Sequence, residues 1–193
     1  MRKTFVILFL LQPIVFFTAC ERPDYTDEIK EAYRLGNHGQ VIDGNMWSAV
    51  SQDQLKWLEA VSYCKNLYEL GYSDWRLPTV DELRTLIKDC PKTESGGSCG
   101  LTDECITEEE SVYNCFEPQS CNCAHRYSYQ GDSSYSKLGD WEALWSSIPN
   151  DCRNDEDAWF VYFGDGGIHQ PTASANVACE HYYPPTNHVR CVR

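Results

Sequence analysis

Gly96-Gly97-Ser98-Cys99-Gly100 fits the bare Gly-x-Ser-x-Gly spacing of a nucleophile elbow. That motif works only where a strand runs into a helix, because the sharp turn between them exposes the hydroxyl. Here Pro91-Lys92-Thr93-Glu94-Ser95 precedes it and cysteines flank it, so the spacing predicts a turn. Cys121-x-Cys123-x-His125 places two thiols and an imidazole within reach of one ion. Structural zinc ordinarily takes a second closely spaced pair as well, and this chain offers none. Asp155-Glu156-Asp157 and Asp165 offer oxygen donors of the kind calcium prefers. A short acidic run is more often a solvated face, and the five histidines follow no ligand spacing. We therefore assign no metal, no other cofactor and no catalytic residue.

The thiols have a simpler use. The chain has eleven cysteines among 193 residues and starts like an exported protein. Arg2 and Lys3 lead into an apolar run from Phe5 to Phe17, shorter than the roughly 20 residues of a spanning helix. Phe17-Thr18-Ala19-Cys20 resembles a bacterial lipobox, with Phe17 where leucine is usual. Residues 1–19 are thus expected to be a signal peptide, Cys20 the lipidated residue, and residues 20–40 a tether. The lipid would anchor the chain at a bacterial outer membrane or cell surface, with a periplasmic or secreted location as the alternative. Ten cysteines then remain: Cys64, Cys90, Cys99, Cys105, Cys115, Cys121, Cys123, Cys152, Cys179 and Cys191. An even number in an oxidising compartment predicts five disulfides. Without its first 19 residues the chain carries 14 basic against 29 acidic residues, a net −15. That balance excludes nucleic acid as a partner and a simple electrostatic grip on anionic polysaccharide.

The elements that must position these groups are read from periodicity and turn chemistry. Residues 41–193 suit one domain. Val41-Ile42-Asp43-Gly44-Asn45-Met46-Trp47 predicts a hairpin about Asp43-Gly44. A helix is expected from Ser51 or Asp53 to Leu70, with Trp57, Val61, Cys64 and Tyr68 on its buried face and Gly71 at its left-handed end. Trp75 and Leu77 alternate on an extended piece, with Arg76 between them as a surface charge or a buried carboxylate anchor. Pro78-Thr79 then opens a second helix to Asp89, and Thr79 with Glu82 has capping-box spacing. Residues 90–123 carry six cysteines and little periodic hydrophobicity, as a disulfide-rich insertion would. Arg126 to Asp140 reads as a long surface loop. Leu144 to Ile148 and Ala158 to Phe163 read as strands, the latter turning at Gly164-Asp165-Gly166-Gly167 into Ile168 to Gln170. Pro171 to Pro185 reads as a loop, and His188 to Arg193 as a closing strand.

Trp57-x-x-Ala60-x-x-Tyr63-Cys64-x-x-Leu67, followed by Gly71-Tyr72-Ser73-Asp74-Trp75-Arg76-Leu77-Pro78-Thr79-x-x-Glu82-Leu83, resembles the Lcl C-terminal domain family, which includes the Fibrobacter-type major paralogous domains. The resemblance returns at Leu144-Trp145-Ser146-Ser147, Ala158-Trp159-Phe160-Val161 and Val189-Arg190-Cys191-Val192-Arg193. It implies a C-type-lectin-like α+β fold displayed outside the cell, with an adhesive role in the member that gives the family its name; with the elements above, the expected fold is an α+β domain of two helices, a small mainly antiparallel sheet and a disulfide-rich insertion. It also implies a bond between Cys64 on the first helix and Cys191 on the last strand, the rival being Cys64 with Cys90. Glu117-Pro118-Gln119 looks like the calcium- and sugar-binding tripeptide of C-type lectins, but only Arg153-Asn154-Asp155 stands where their Trp-Asn-Asp strand would follow. Formylglycine-generating enzymes share the broad fold and an Arg-Leu-Pro-Thr helix start. Cys179 and Cys191 are the thiols such a reading would need, and the surrounding motif is missing.

Surface chemistry is what remains. Tyr127, Tyr129, Tyr135, Tyr182 and Tyr183 lie in expected loops among Ser, Asn and Gly. Flat amphipathic rings with small polar neighbours suit recognition at low entropic cost. Tyr127, Tyr129, Tyr182 and Tyr183 are the expected ligand-binding residues, and the ligand a glycan or an extracellular or envelope protein. The expectation is a lipid-anchored binding module, with a structural envelope protein as the alternative and an enzyme less favoured.

Overall fold

In the computed structural model the placement of residues 38–107, 121–123, 134–150, 157–170 and 186–193 is described. The chain forms a small α+β domain. A first hairpin pairs β1 (Gln40–Ile42) with β2 (Asn45–Trp47). Asp43 and Gly44 both take positive φ, 49° and 87°, as a two-residue primed turn requires. A second sheet has the order β3 (Ala143–Asn150), β4 (Asp157–Tyr162), β5 (Gly167–His169), all antiparallel. The described residues also form helices α1 (Trp57–Asn66), α2 (Val80–Thr85) and α3 (Asp103–Thr107). Among the described residues there are three helices and two sheets, where two helices and one small sheet were expected. The third helix is five residues long and too short to show a period.

Helix α1 starts later than expected, for a reason visible in its upstream neighbours. Leu55 and Asn187 exchange backbone hydrogen bonds (2.9 and 3.1 Å), and the Ser51 amide donates to the Val189 carbonyl (2.7 Å). Those residues are held extended and cannot open a helix. The end is also earlier, because Leu67 is already extended and Leu70 and Gly71, at φ 55° and 86°, form a tight turn in which Glu69 and Tyr72 bond each other's backbone. Gly71 therefore serves a turn and not a helix end. The buried face is Trp57, Ala60 and Cys64, while Val61 is 38% exposed and Tyr68, beyond the helix, 74%. The expected face was one position out at Val61 and one element out at Tyr68.

Around α2 the local signals hold. The Glu82 amide donates to the Thr79 hydroxyl (3.2 Å), and the Thr79 amide to the Glu82 carboxylate (2.8 Å), closing the capping box. Val80, Leu83, Leu86 and Ile87 are buried, and so are Trp75 and Leu77 on the approach. The helix stops at Thr85, short of the expected Asp89.

The three-stranded sheet and the C-terminal segment share one role, which is to divide the core in two. Residues 187–192 run beside β3, where His188 bridges Leu144 in parallel and the His188 amide donates to Ala143 (3.0 Å). Val192 also exchanges backbone hydrogen bonds with Arg76 (2.8 and 3.0 Å), and Arg193 with Met46. Alternate residues then face opposite ways. Val189 and Cys191 join Trp57, Ala60, Cys64, Trp75, Leu77, Trp145 and Ala158 in one apolar cluster. Val192 joins Trp47, Val80, Leu83, Leu86, Leu144, Val161 and Phe163 in the other. At roughly 25 cal/mol per Å² of apolar surface, each buried ring or branched chain contributes about 1.5–3 kcal/mol. The insertion enters the second cluster through Cys99, Leu101 and Ile106, and so belongs to the core.

Residues 134–140, expected in a surface loop, are also packed inward. Tyr135, Ser136, Leu138 and Asp140 are buried, and Lys88 and Phe163 bond the Tyr135 backbone on either side. Gly166 lies so close to Tyr135 that a Cβ there would meet the ring at 3.0 Å.

Candidate functional site

Four assemblies of polar or reactive side chains stand out among the described residues. The first is the set of disulfides. Cys64 bonds Cys191 across 127 residues with Cα atoms 5.5 Å apart, within the range a disulfide requires. This is the pairing the resemblance implied, and Cys90 bonds Cys123 instead of Cys64. Cys99 bonds Cys121, and Cys105 is disulfide-bonded as well. Thr93 sits between two of these chains, its hydroxyl donating to the Gly166 carbonyl near the Cys90 sulfur. Ser98 lies in a run of turns and bends with no strand leading into it, and the next helix starts only at Asp103, so the Gly-x-Ser-x-Gly spacing is a turn.

Two buried arginines form the second and third assemblies, and sequence reasoning missed both. Arg84, on the inner face of α2, donates to the carbonyls of Thr93 (2.9 Å), Leu101 (3.0 Å), Glu94 (3.2 Å) and Cys99 (3.3 Å). Its guanidinium is the hub on which the start of the insertion is folded. Asp81 and Asp103 reinforce it, each carboxylate accepting the other's backbone amide (3.0 and 3.1 Å). Arg190 meets Asp140 side-on, with Nε 2.9 Å from both oxygens and an Nη 2.8 Å from one, and donates a further bond to the Ser48 carbonyl. Both partners are buried, and the Ser136 hydroxyl donates to the same carboxylate (3.1 Å). An arginine with only apolar sequence neighbours, as in Val189-Arg190-Cys191, was the available signal.

Arg76 resolves differently from Arg84. Its side chain is 52% exposed and reaches Glu82 with two donors at 2.7 and 2.6 Å. Burial alone pushes the Glu82 carboxyl up, but Arg76 and the Thr79 amide outweigh it and hold it below its ordinary value. Glu82 holds Arg76 above its own. Near the last residue, Arg193 bonds Asp74 (2.8 and 3.1 Å) and stacks 3.5 Å over the Tyr72 ring. That bond lowers the Asp74 carboxyl's pKa.

The fourth assembly is at the surface, where the C-terminal segment passes the start of β3. The His188 Nε2 lies 2.6 Å from the Glu142 carboxylate, which also accepts from the Gln54 amide (3.1 Å). Thr186 donates to the Gln54 oxygen (3.1 Å). The bond from Glu142 holds the His188 pKa above its ordinary value, and His188 holds Glu142 below its own. Next in sequence to Glu142, Trp141 is 65% exposed, and Tyr68, Leu70 and Tyr72 are exposed elsewhere. These side chains were not among the expected binding residues.

Tyr127, Tyr129, Tyr182 and Tyr183 lie outside the described residues, as do Cys20, Cys115, Cys152, Cys179, Glu117-Pro118-Gln119 and His125. Tyr135, grouped with the loop tyrosines in the sequence, is buried and so is part of the core. Among the described residues no group of three or more His, Cys, Asp or Glu is placed to hold a metal ion. The Asp165 carboxylate accepts the Gly167 amide (2.8 Å) and faces the His169 ring (3.2 Å), the arrangement of a tight turn. No described helix is long and apolar enough to cross a membrane.

Taken together, the elements define a small disulfide-crosslinked α+β domain whose sheet, N-terminal hairpin and C-terminal segment are laced into one unit. The sequence pattern of the Lcl C-terminal domain matches residues 40–193, and the chain belongs to that family. No curated protein and no solved structure gave a significant match.

Proposed function

We propose that the protein is a lipid-anchored module of the bacterial cell surface or envelope that binds a glycan or protein ligand through a C-type-lectin-like domain. The observation that carries this reading is the Cys64–Cys191 bond, with Cys90–Cys123 and Cys99–Cys121 beside it. Such bonds persist in oxidising compartments, which agrees with the export signal and the Cys20 lipobox. A bond from the first helix to the last segment also agrees with the C-type-lectin-like arrangement. The formylglycine-generating reading needs Cys191 as a reactive thiol, and Cys191 is bonded to Cys64. Binding is assigned to Tyr127, Tyr129, Tyr182 and Tyr183, and the exposed rings of Tyr68 and Trp141 give the domain further aromatic surface.

The test is an array of glycans and extracellular-matrix proteins probed with the chain from Glu21 onward. Replacing each of the four tyrosines by Ala should weaken the ligand found by about tenfold, the cost of one interface anchor, at unchanged Tm. Lost stability with intact binding would place those residues in the core and remove the site. Silence across the whole array would favour a structural envelope protein without a discrete ligand.

A further inference from the structure

We infer that His188 is a pH-sensitive latch that fastens the C-terminal segment to the start of β3 while its imidazole and Glu142 share a proton. The argument begins with hydrogen-bond roles. Nδ1 lies 3.0 Å from the Ser51 carbonyl and 3.5 Å from the Ser51 hydroxyl oxygen. That hydroxyl already gives its proton to the Asp53 carbonyl (2.8 Å) and accepts the Val189 amide (2.9 Å), so towards Nδ1 it presents only lone pairs. Nδ1 must therefore carry a hydrogen. Nε2 faces the Glu142 Oε2 at 2.6 Å, and a close approach to a carboxylate needs a hydrogen there too. A neutral imidazole has only one hydrogen to give. Once one of the two protons leaves, a nitrogen lone pair faces either the Glu142 carboxylate or the Ser51 carbonyl, and one of the two contacts that hold the ring must open.

The surroundings are charged in a way that keeps the proton. Glu142 is the direct partner, and Asp140 acts from farther off with the same sign while engaged by Arg190. On the third side, Asp53 is the titratable residue of loop 51–55 and has an exposed side chain. His188 is four-fifths buried at its side chain and sits where three backbone segments meet, Leu55, Ala143–Trp145 and its own. Opening the contact therefore loosens a junction. The linkage has a definite sign. The raised His188 value means that the latch is complete below about 6.5, the ordinary value of the group, and is lost as pH rises through the folded value above it. At the acid end it is lost as pH falls through the Glu142 value, which lies below 4.5.

The test uses the purified full-length protein and needs no ligand, so it is independent of the binding proposal. The His188 ring resonance, assigned by its loss in His188→Gln, should titrate with a midpoint above 6.5 in NMR. Hydrogen-exchange protection of the Asn187, His188 and Val189 amides, corrected for intrinsic rates, should fall about three- to tenfold across that midpoint, the loss of one charge-assisted bond at a partly exposed site. Glu142→Gln, at a side chain with room in solvent, should shift the midpoint down and abolish the step. A midpoint at or below 6.5 would overturn the latch. So would protection that stays flat across the midpoint, or a step that survives in Glu142→Gln.

Discussion

Arg84→Met is the substitution that asks most directly what holds the insertion on the domain. The methionine keeps much of the buried aliphatic volume and removes the donors. Four carbonyls, those of Thr93, Glu94, Cys99 and Leu101, then lose a donor at a site only 3% exposed. At about 1 kcal/mol net for each such bond, with a further cost for carbonyls left dry, the expected loss is about 3–5 kcal/mol. Removal of the charge offsets part of this, because a buried guanidinium is itself expensive to desolvate. Arg84→Lys should fall between, since an ammonium reaches fewer of the four oxygens than the planar fork does. Urea denaturation measures the total, and limited proteolysis read by mass spectrometry locates it. Cleavage should appear first between Lys92 and Leu101 while residues 143–148 stay protected. A loss under about 1 kcal/mol, with no new cleavage in that stretch, would refute the view that Arg84 organises the insertion.

Three further outcomes are expected. Replacing Cys64 and Cys191 together by Ala should cost about 4–5 kcal/mol on the loop-entropy account of a 127-residue closure, measured by thermal denaturation of the otherwise oxidised protein. Glu82→Gln keeps an oxygen for the Thr79 amide and loses the ion pair to the half-exposed Arg76, so it should cost at most about 1 kcal/mol. Because the Glu82 value is lowered in the fold, its ion pair contributes above about 4.5 and is lost as pH falls below that, so the variant should show a flatter acid limb in Tm against pH. Cys20→Ala should move the protein from the membrane fraction to the soluble one, and continued membrane association after signal removal would defeat the lipobox reading.

What was legible in the sequence was local. The Asp43-Gly44 turn, the Thr79–Glu82 cap and the alternation of Trp75 and Leu77 each depend on residues a few positions apart, and each formed as read. Errors arose where distant chain overrode local preference. The stretch from Ser51 to Leu55 has helical periodicity to offer, yet its backbone pairs with Asn187 and Val189, more than 130 positions away. Tyr135 reads as a loop aromatic until Phe163 and Lys88 are known to bracket its backbone. Of the candidate site, the seven described cysteines were legible as disulfide partners and the Cys64 pairing by resemblance, while the buried arginines were not. Arg190 showed only its apolar neighbours in sequence, and Arg84, followed by Thr85, did not show even that.

The C-terminal segment shows why a short stretch can decide so much of this fold. His188 to Arg193 were expected to form an ordinary closing strand, and residues 187–193 form isolated bridges to Trp47, Leu55, Arg76 and Leu144. Each bridge is to a different element, so none extends into a ladder. The segment gains from both of its faces at once: Val189 and Cys191 enter one apolar cluster, and Val192 the other. Between them Arg190 is buried on a polar contact with Asp140 and Ser48, where an apolar residue would leave Asp140 with the Ser136 hydroxyl alone and take this donor from the Ser48 carbonyl. Register follows from this arrangement. A slip of one residue would send Arg190 into the cluster around Trp57 and turn Cys191 away from Cys64. The buried ion pair and the disulfide therefore select the same register from opposite faces, and loss of either should weaken the selection made by the other. Asp140→Asn, which keeps the shape and removes the charge, should cost about 3–5 kcal/mol by leaving Arg190 buried and uncompensated. It should also slow oxidative closure of Cys64–Cys191 on refolding, as followed by thiol trapping. Unchanged closure kinetics in that variant would show that the disulfide finds its partner without the ion pair.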